Sequence, residues 1–165
     1  MKQIPCPKCG KDFIRRTLRA SAGEYLLSAL YVYPFRCQLC AHRFLRLELG
    51  RRYNEATVDK RQYERIPIKF PVTFVGEKTS GAGTITHLSL GGCALESSLT
   101  LMEGMIFNLR LQPPDVSPAI TIETAIVRSV RPPVAGLEFL RTNPTEQYRL
   151  IQFMVGLLTA RRQVE

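Results

Sequence analysis

The apolar residues of this chain change their spacing twice. From Ile66 onward, short β-type runs follow one another: Ile68 to Val75, Gly83 to Leu90, Cys93 to Glu96, Met105 to Leu111, Ile120 to Val130 and Ala135 to Leu140. Between them stand Thr79-Ser80-Gly81, Gly91-Gly92, Pro113-Pro114-Asp115 and Arg131-Pro132-Pro133. Such residues make turns because they supply positive φ, a fixed φ or side-chain bonds to the local backbone. Ile120, Ile122, Thr124 and Ile126 alternate with Thr121, Glu123 and Ala125, the period of a half-buried antiparallel strand. Six short strands within about 75 residues predict a small barrel or a sandwich. The period then lengthens: Tyr148, Ile151, Met154, Val155 and Leu158 recur at helical spacing. Asn143 suits the cap of that helix and Pro144 its first position, while Arg161 and Arg162 sit at the end where cations favour the dipole.

Upstream the pattern is different. Ser21 stands three residues ahead of Glu24 and is followed by Tyr25-Leu26-Leu27-Ser28-Ala29-Leu30, a capping box opening a short helix, with Pro34 expected to stop it. From Gly50 to Arg65 the chain is polar and charged with little periodicity, and reads as a linker. The expected organisation is therefore a module over residues 1–49, a basic linker over 50–65 and a mostly β domain over 66–165. Gly76-Glu77-Lys78-Thr79 lacks the glycine spacing of a phosphate loop and reads as a hairpin loop.

Charge sharpens this division. The chain of 165 residues carries a net charge of +9. Through Arg65 there are 14 Lys and Arg against 6 Asp and Glu, and from Ile66 onward 9 against 8, so the excess lies almost wholly in the first part. Such asymmetry points to an anionic partner there: a nucleotide, a nucleic acid or an acidic protein face. With 45% hydrophobic residues a packed core is expected. The apolar stretch from Tyr25 to Phe35 is about half the roughly 20 residues of a membrane helix, so no membrane insertion is expected. No apolar leader precedes the first cysteine, which predicts a cytoplasmic location, where clustered cysteines hold metal more often than disulfides.

Those cysteines form two pairs, Cys6-Pro7-Lys8-Cys9 and Cys37-Gln38-Leu39-Cys40, 27 residues apart. Two residues between thiolates let one tight turn present both sulfurs to a single ion, and two such turns complete a tetrahedron. The separation exceeds the usual spacing of paired CxxC motifs, and the intervening helix accounts for the excess. Cys6, Cys9, Cys37 and Cys40 are thus the expected ligands of one zinc ion, and the first 48 residues or so resemble a zinc ribbon. Four protein ligands close the coordination sphere, which makes the site structural. His42 is expected at the surface and Cys93 in the core. With two histidines, neither beside a visible carboxylate partner, no catalytic set is present and the chain is read as a non-enzyme.

Three further motifs recur at set distances. Arg61 and Arg65 form an RxxxR pair ahead of Ile66-Pro67, His87-Leu88-Ser89-Leu90-Gly91-Gly92 stands where a D/N-x-S-x-x-G motif would, and Ala125-Ile126-Val127-Arg128 leads to Gly136-Leu137-Glu138-Phe139. Together with the closing helix these resemble the PilZ domain, over about residues 60 to 160. The resemblance implies a six-stranded antiparallel β-barrel closed by a C-terminal α-helix, and cyclic di-GMP as ligand. Carried over by position, it implies ligand contacts at Arg61, Arg65, Ser89 and Gly92, with His87 where the family has Asp or Asn. A guanidinium can fork onto a phosphate or bond the O6 and N7 of guanine; the Ser89 hydroxyl can donate; Gly92 permits close backbone approach. Imidazole at His87 offers one nitrogen on each side, so recognition of the guanine edge is altered.

The expected function is a regulatory effector in which cyclic di-GMP, held by the linker arginines, re-poses ribbon and barrel and alters contact with a protein partner. Two other readings stand beside it. One is a nucleic-acid-binding ribbon with Arg15, Arg16, Arg19, Arg36, Arg43, Arg46, Arg51 and Arg52 as its basic face. The other is a PilZ-like interaction module that binds no nucleotide.

Overall fold

The structure is a computed structural model and describes residues 5–50, 52–55, 58 and 61–164. These divide into two compact units, with the boundary between Glu64 and Arg65.

In the first unit, β1 (Ile14–Arg16), α1 (Ala22–Ala29), β2 (Val32–Cys37) and β3 (Arg43–Leu47) form a three-stranded antiparallel sheet, order β1-β2-β3, with one helix. Half of the capping box forms: the Glu24 N–H donates to Ser21 Oγ at 3.4 Å, but the Glu24 carboxylate reaches one residue further back and accepts from the Ala20 N–H at 2.6 Å rather than from Ser21. The helix does not run to Pro34. It ends at Ala29 because Tyr31 turns left-handed, with φ of 60°, and Pro34 lies inside β2. Residues expected as a linker pack on this unit. The Tyr53 hydroxyl donates to Thr17 O at 2.9 Å, its ring lies 5.5 Å from that of Tyr33, and the Glu64 N–H donates to Gln38 Oε1 at 2.7 Å.

The second unit is a closed antiparallel barrel. Its strands are β4 (Ile66–Val75), β5 (Ser80–Ser89), β6 (Gly92–Glu96), β7 (Ile106–Leu111), β8 (Ile120–Arg131) and β9 (Val134–Arg141), in the order β4-β5-β6-β9-β8-β7. Val72, Phe74, Ile85, Leu88, Leu95, Leu109, Leu111, Ile120 and Ile122 fill its interior and are fully buried. Closure gives every strand a paired neighbour on both sides. Residues 76–79 are indeed a hairpin loop, closed by the Gly76 N–H on Thr79 O at 2.8 Å.

Along β8 the alternation read from the sequence holds only as far as Ile122. The pairing with β9 slips between Thr124 and Ala125, so Ala125 and Val127 turn inward while Ile126 does not. A bulge inserts one residue and reverses the phase of everything beyond it.

Helix α2 (Pro144–Val164) closes the chain, with the Thr145 N–H on Asn143 Oδ1 at 2.9 Å as its cap. Its buried stripe is Leu150, Met154 and Leu158, whereas Tyr148 is exposed. Side-chain bonds fix the docking: Glu146 accepts from the Thr121 N–H at 2.9 Å, and Arg149 donates to Ala119 O at 3.1 Å and to Pro118 O. No helix among the described residues is long and apolar enough to cross a membrane.

Candidate functional site

The four cysteines of the first unit come together. Cys6 Sγ is 3.7 Å from Cys40 Sγ, Cys9 Sγ is 3.6 Å from Cys37 Sγ, and all four lie within 4.8 Å of one another. A tetrahedron with Zn–S bonds of about 2.3 Å has edges of about 3.8 Å, so the spacing suits one tetrahedral ion. It is far too long for disulfides, whose sulfurs sit about 2.05 Å apart.

Each pair is presented by the same turn. In one, the Gly10 N–H donates to Cys6 O at 2.9 Å; in the other, the Ala41 N–H donates to Cys37 O at 3.1 Å. Both turns close on a left-handed residue, Gly10 with φ of 71° and Ala41 with φ of 57°. The Leu39 N–H points at Cys37 Sγ, 3.4 Å away, the arrangement that stabilises a thiolate.

The sulfurs sit in unequal surroundings. Burial pushes the Cys37 thiol up to about 12, and it also pushes Cys40 up. At Cys6 burial acts the same way, but backbone N–H groups of Cys9 and Lys8, with the neighbouring thiols, outweigh it and bring the group to about 7. A soft divalent cation at this cluster would supply the charge that stabilises buried thiolates. His42 is half-buried and stacks on Phe44 at 5.9 Å, outside the cluster.

The arginines of this unit are largely spent on its own structure. Arg16 donates to Glu48 at 2.9 and 2.6 Å, Arg43 pairs with the buried Glu24 at 2.6 Å, and Arg15 pairs with Glu64 at 2.8 Å. The Arg19 guanidinium lies 4.2 Å from the Tyr25 ring centroid and 4.3 Å from that of Tyr53. Arg46 lies over Phe35 at 5.8 Å. Arg51, named above as part of a basic face, lies outside the described residues.

On the barrel, Ile66 pairs with Leu88 and Pro67 with His87. Arg65 immediately precedes this pairing, and Ser89 immediately follows Leu88. The next strands continue the row, Ser89 opposite Gly92 and Gly92 opposite Glu138. Arg65 is exposed, and close enough to Cys93 for its charge to act on that thiol, which burial pushes up to about 12.

Ser89 is buried and its hydroxyl donates to Gly92 O at 3.0 Å, closing the tight turn from β5 to β6. His87 is exposed, two residues before it. Glu138 already engages Arg128, at 2.6 Å. A Cβ at Gly92 would lie 2.1 Å from Leu137 O, so the close approach this glycine permits is to the neighbouring strand β9. Arg61 is exposed and belongs to the first unit, while Arg65, His87, Ser89 and Gly92 belong to the second.

A model of the PilZ domain matches residues 59–156. Similar solved structures include the following two. One is the PilZ domain of CeSA from a cellulose-synthesizing bacterium, at 18% identity and a TM-score of 0.46, covering 57% of this chain and 97% of that one. The other is the Bacillus subtilis inhibitor of motility, MotI/DgrA, at 19% identity and a TM-score of 0.51, covering 81% of this chain and 73% of that one. No curated protein matches the sequence.

Proposed function

The chain belongs to the PilZ domain family, and from that premise we propose that it is a regulatory receptor for cyclic di-GMP, with a zinc-held ribbon as its second working part. The observation that carries this reading is where the RxxxR pair falls. Arg61 ends up in one compact unit and Arg65 in the other, with the boundary between Glu64 and Arg65. A ligand that takes both guanidiniums holds the segment from Arg61 to Arg65 in one conformation. A segment that is ordered on binding is a recurrent way of re-posing two modules. The output is a changed contact with a protein partner.

On this reading Arg61 and Arg65 fork onto phosphate or guanine, Ser89 and Gly92 shape the adjoining turn, and His87 faces the ligand from β5. Zinc is held by Cys6, Cys9, Cys37 and Cys40 and does no chemistry there. The nucleic-acid reading is weakened by how the arginines are used. A basic face needs cations free to meet phosphates, and Arg16, Arg19 and Arg43 are already held by carboxylates or tyrosine rings.

Calorimetric titration with cyclic di-GMP tests the proposal. Saturable binding is expected, and both Arg61→Ala and Arg65→Ala should weaken it about ten- to a hundredfold, since a bond to a charged group contributes roughly 1.5–3 kcal/mol. Circular dichroism of both variants should match the parent. Parent-like binding by both would remove the assignment.

His87 gives a finer test. Imidazole presents one nitrogen to the guanine edge, whereas Asp accepts from two donors there and Asn both accepts and donates. His87→Asn is therefore expected to tighten binding by about tenfold, one regained hydrogen bond of about 1.4 kcal/mol. Unchanged or weaker binding by that variant places His87 away from the guanine edge.

A further inference from the structure

Arginines from three separate segments converge on one crevice inside the first unit. Arg15 and Arg16 come from β1, Arg36 from β2 and Arg61 from the stretch before the barrel, with Gln38 and Glu64 beside them. Arg15 and Arg36 are direct partners in the β1–β2 register, so two like charges stand side by side, an arrangement that costs stability unless something offsets it. Glu64 offsets part of it, through its 2.8 Å pair with Arg15, and it is held in place by the bond from its N–H to Gln38. Glu48 engages Arg16. Arg36 is different: its Nε is buried and has no hydrogen-bond partner. A buried donor on a charged group is costly to leave unmet, and one whose side chain lines a crevice with three other arginines calls for an anion.

We propose that this crevice binds a phosphate group, with Arg36 Nε as its innermost donor and Arg15 and Arg61 closing on it from either side. Phosphate fits better than a carboxylate. Its oxygens face several directions, which suits donors delivered from three segments, and guanidinium forks match oxygen pairs on a tetrahedral anion. The inference shares Arg61 with the reading above but does not rest on it, because Arg15 and Arg36 lie outside the RxxxR and SxxG motifs. A free phosphate and one within a nucleotide present the same chemistry, and the experiment separates these sources.

The test uses the zinc-loaded full chain labelled with nitrogen-15, following the Arg36 Nε–Hε resonance as inorganic phosphate is added at constant ionic strength, with chloride as control. A saturable shift specific to phosphate is expected. Arg36→Lys keeps the charge but lacks Nε, and should bind phosphate about tenfold more weakly by calorimetry while retaining one zinc per chain. Cyclic di-GMP forms the second arm. If it shifts the same resonance and competes with phosphate, the group belongs to the nucleotide. If it binds without touching that resonance, the ligand is free phosphate. Should cyclic di-GMP fail to bind while phosphate shifts Arg36, the receptor reading falls and this one stands. A shift produced equally by chloride, no shift with either ligand, or unaltered phosphate affinity in Arg36→Lys would overturn it.

Discussion

Cys37→Ser is expected to unfold the first unit while the barrel still melts as one cooperative body, and a strong zinc chelator should do the same to the parent. The buried apolar side chains of that unit, among the described residues, are Phe13, Tyr33, Pro34, Phe35, Leu39 and Val58, beside the buried Cys6 and Cys37. A core this small leaves little surplus over the entropy of ordering the chain, and domains below about 70 residues commonly need a metal or disulfides. The sulfurs sit at the spacing of a tetrahedral site, and structural zinc contributes about 10–16 kcal/mol in small finger peptides. Cys37 is fully buried, so serine there loses a ligand and leaves a hydroxyl without water around it. The barrel has its own buried interior, from Ile66 to Leu137, and is therefore expected to keep its fold without the cluster. One zinc per parent chain by atomic absorption, with first-unit amide signals collapsing on chelation while barrel signals persist, is the expected result. A metal-free chain whose first-unit signals stay dispersed would falsify it.

How much of this was legible in the sequence depends on the range over which each feature is decided. The cysteine site was readable because ligand spacing within a turn is local, and two such turns have one economical way to meet. Even there the second turn needs a left-handed residue, and the chain uses Ala41 where glycine would be the readable signal. Strand positions were readable from turn residues, but the inward phase of β8 was not, because the bulge at Thr124 is set by its partner strand. The end of α1 was placed too late because Pro34 is a conspicuous helix breaker, whereas the left-handed Tyr31 carries no signature of its own. On α2, Tyr148 fits the helical period as well as Leu150 does, and only the position of the barrel surface decides between them. The arginines were least readable. Which of them meet Glu24, Glu48 or Glu64, and that Arg36 is left with a buried unmet donor, depends on segments far apart in sequence.

Gly92 shows how a residue assigned by family position can carry a second, purely structural demand, and Gly92→Ala measures it. An added Cβ would stand 2.1 Å from Leu137 O and 3.2 Å from Glu138 Cα, and both obstacles are backbone that cannot rotate aside. The strain is steric, so β6 must move off β9. That disturbs the pairs Gly92 with Glu138 and Cys93 with Leu137, and the Ser89 hydroxyl bond to Gly92 O that closes the turn. Overpacking in a well-packed interior typically costs about 1–3 kcal/mol and more where backbone must shift, so a loss of roughly 2–4 kcal/mol is expected for the barrel. For a unit of about 100 residues this lowers the thermal midpoint by roughly 10–25 °C. The drop should be present without any nucleotide, which separates it from a ligand effect. Ser89→Ala is the milder companion, losing one hydrogen bond at about 1 kcal/mol and a few degrees. An unshifted melt in Gly92→Ala together with lost cyclic di-GMP binding would show that the glycine serves the ligand alone; a lowered melt shows that the SxxG turn is first a device for closing the barrel, on which any ligand contact is built.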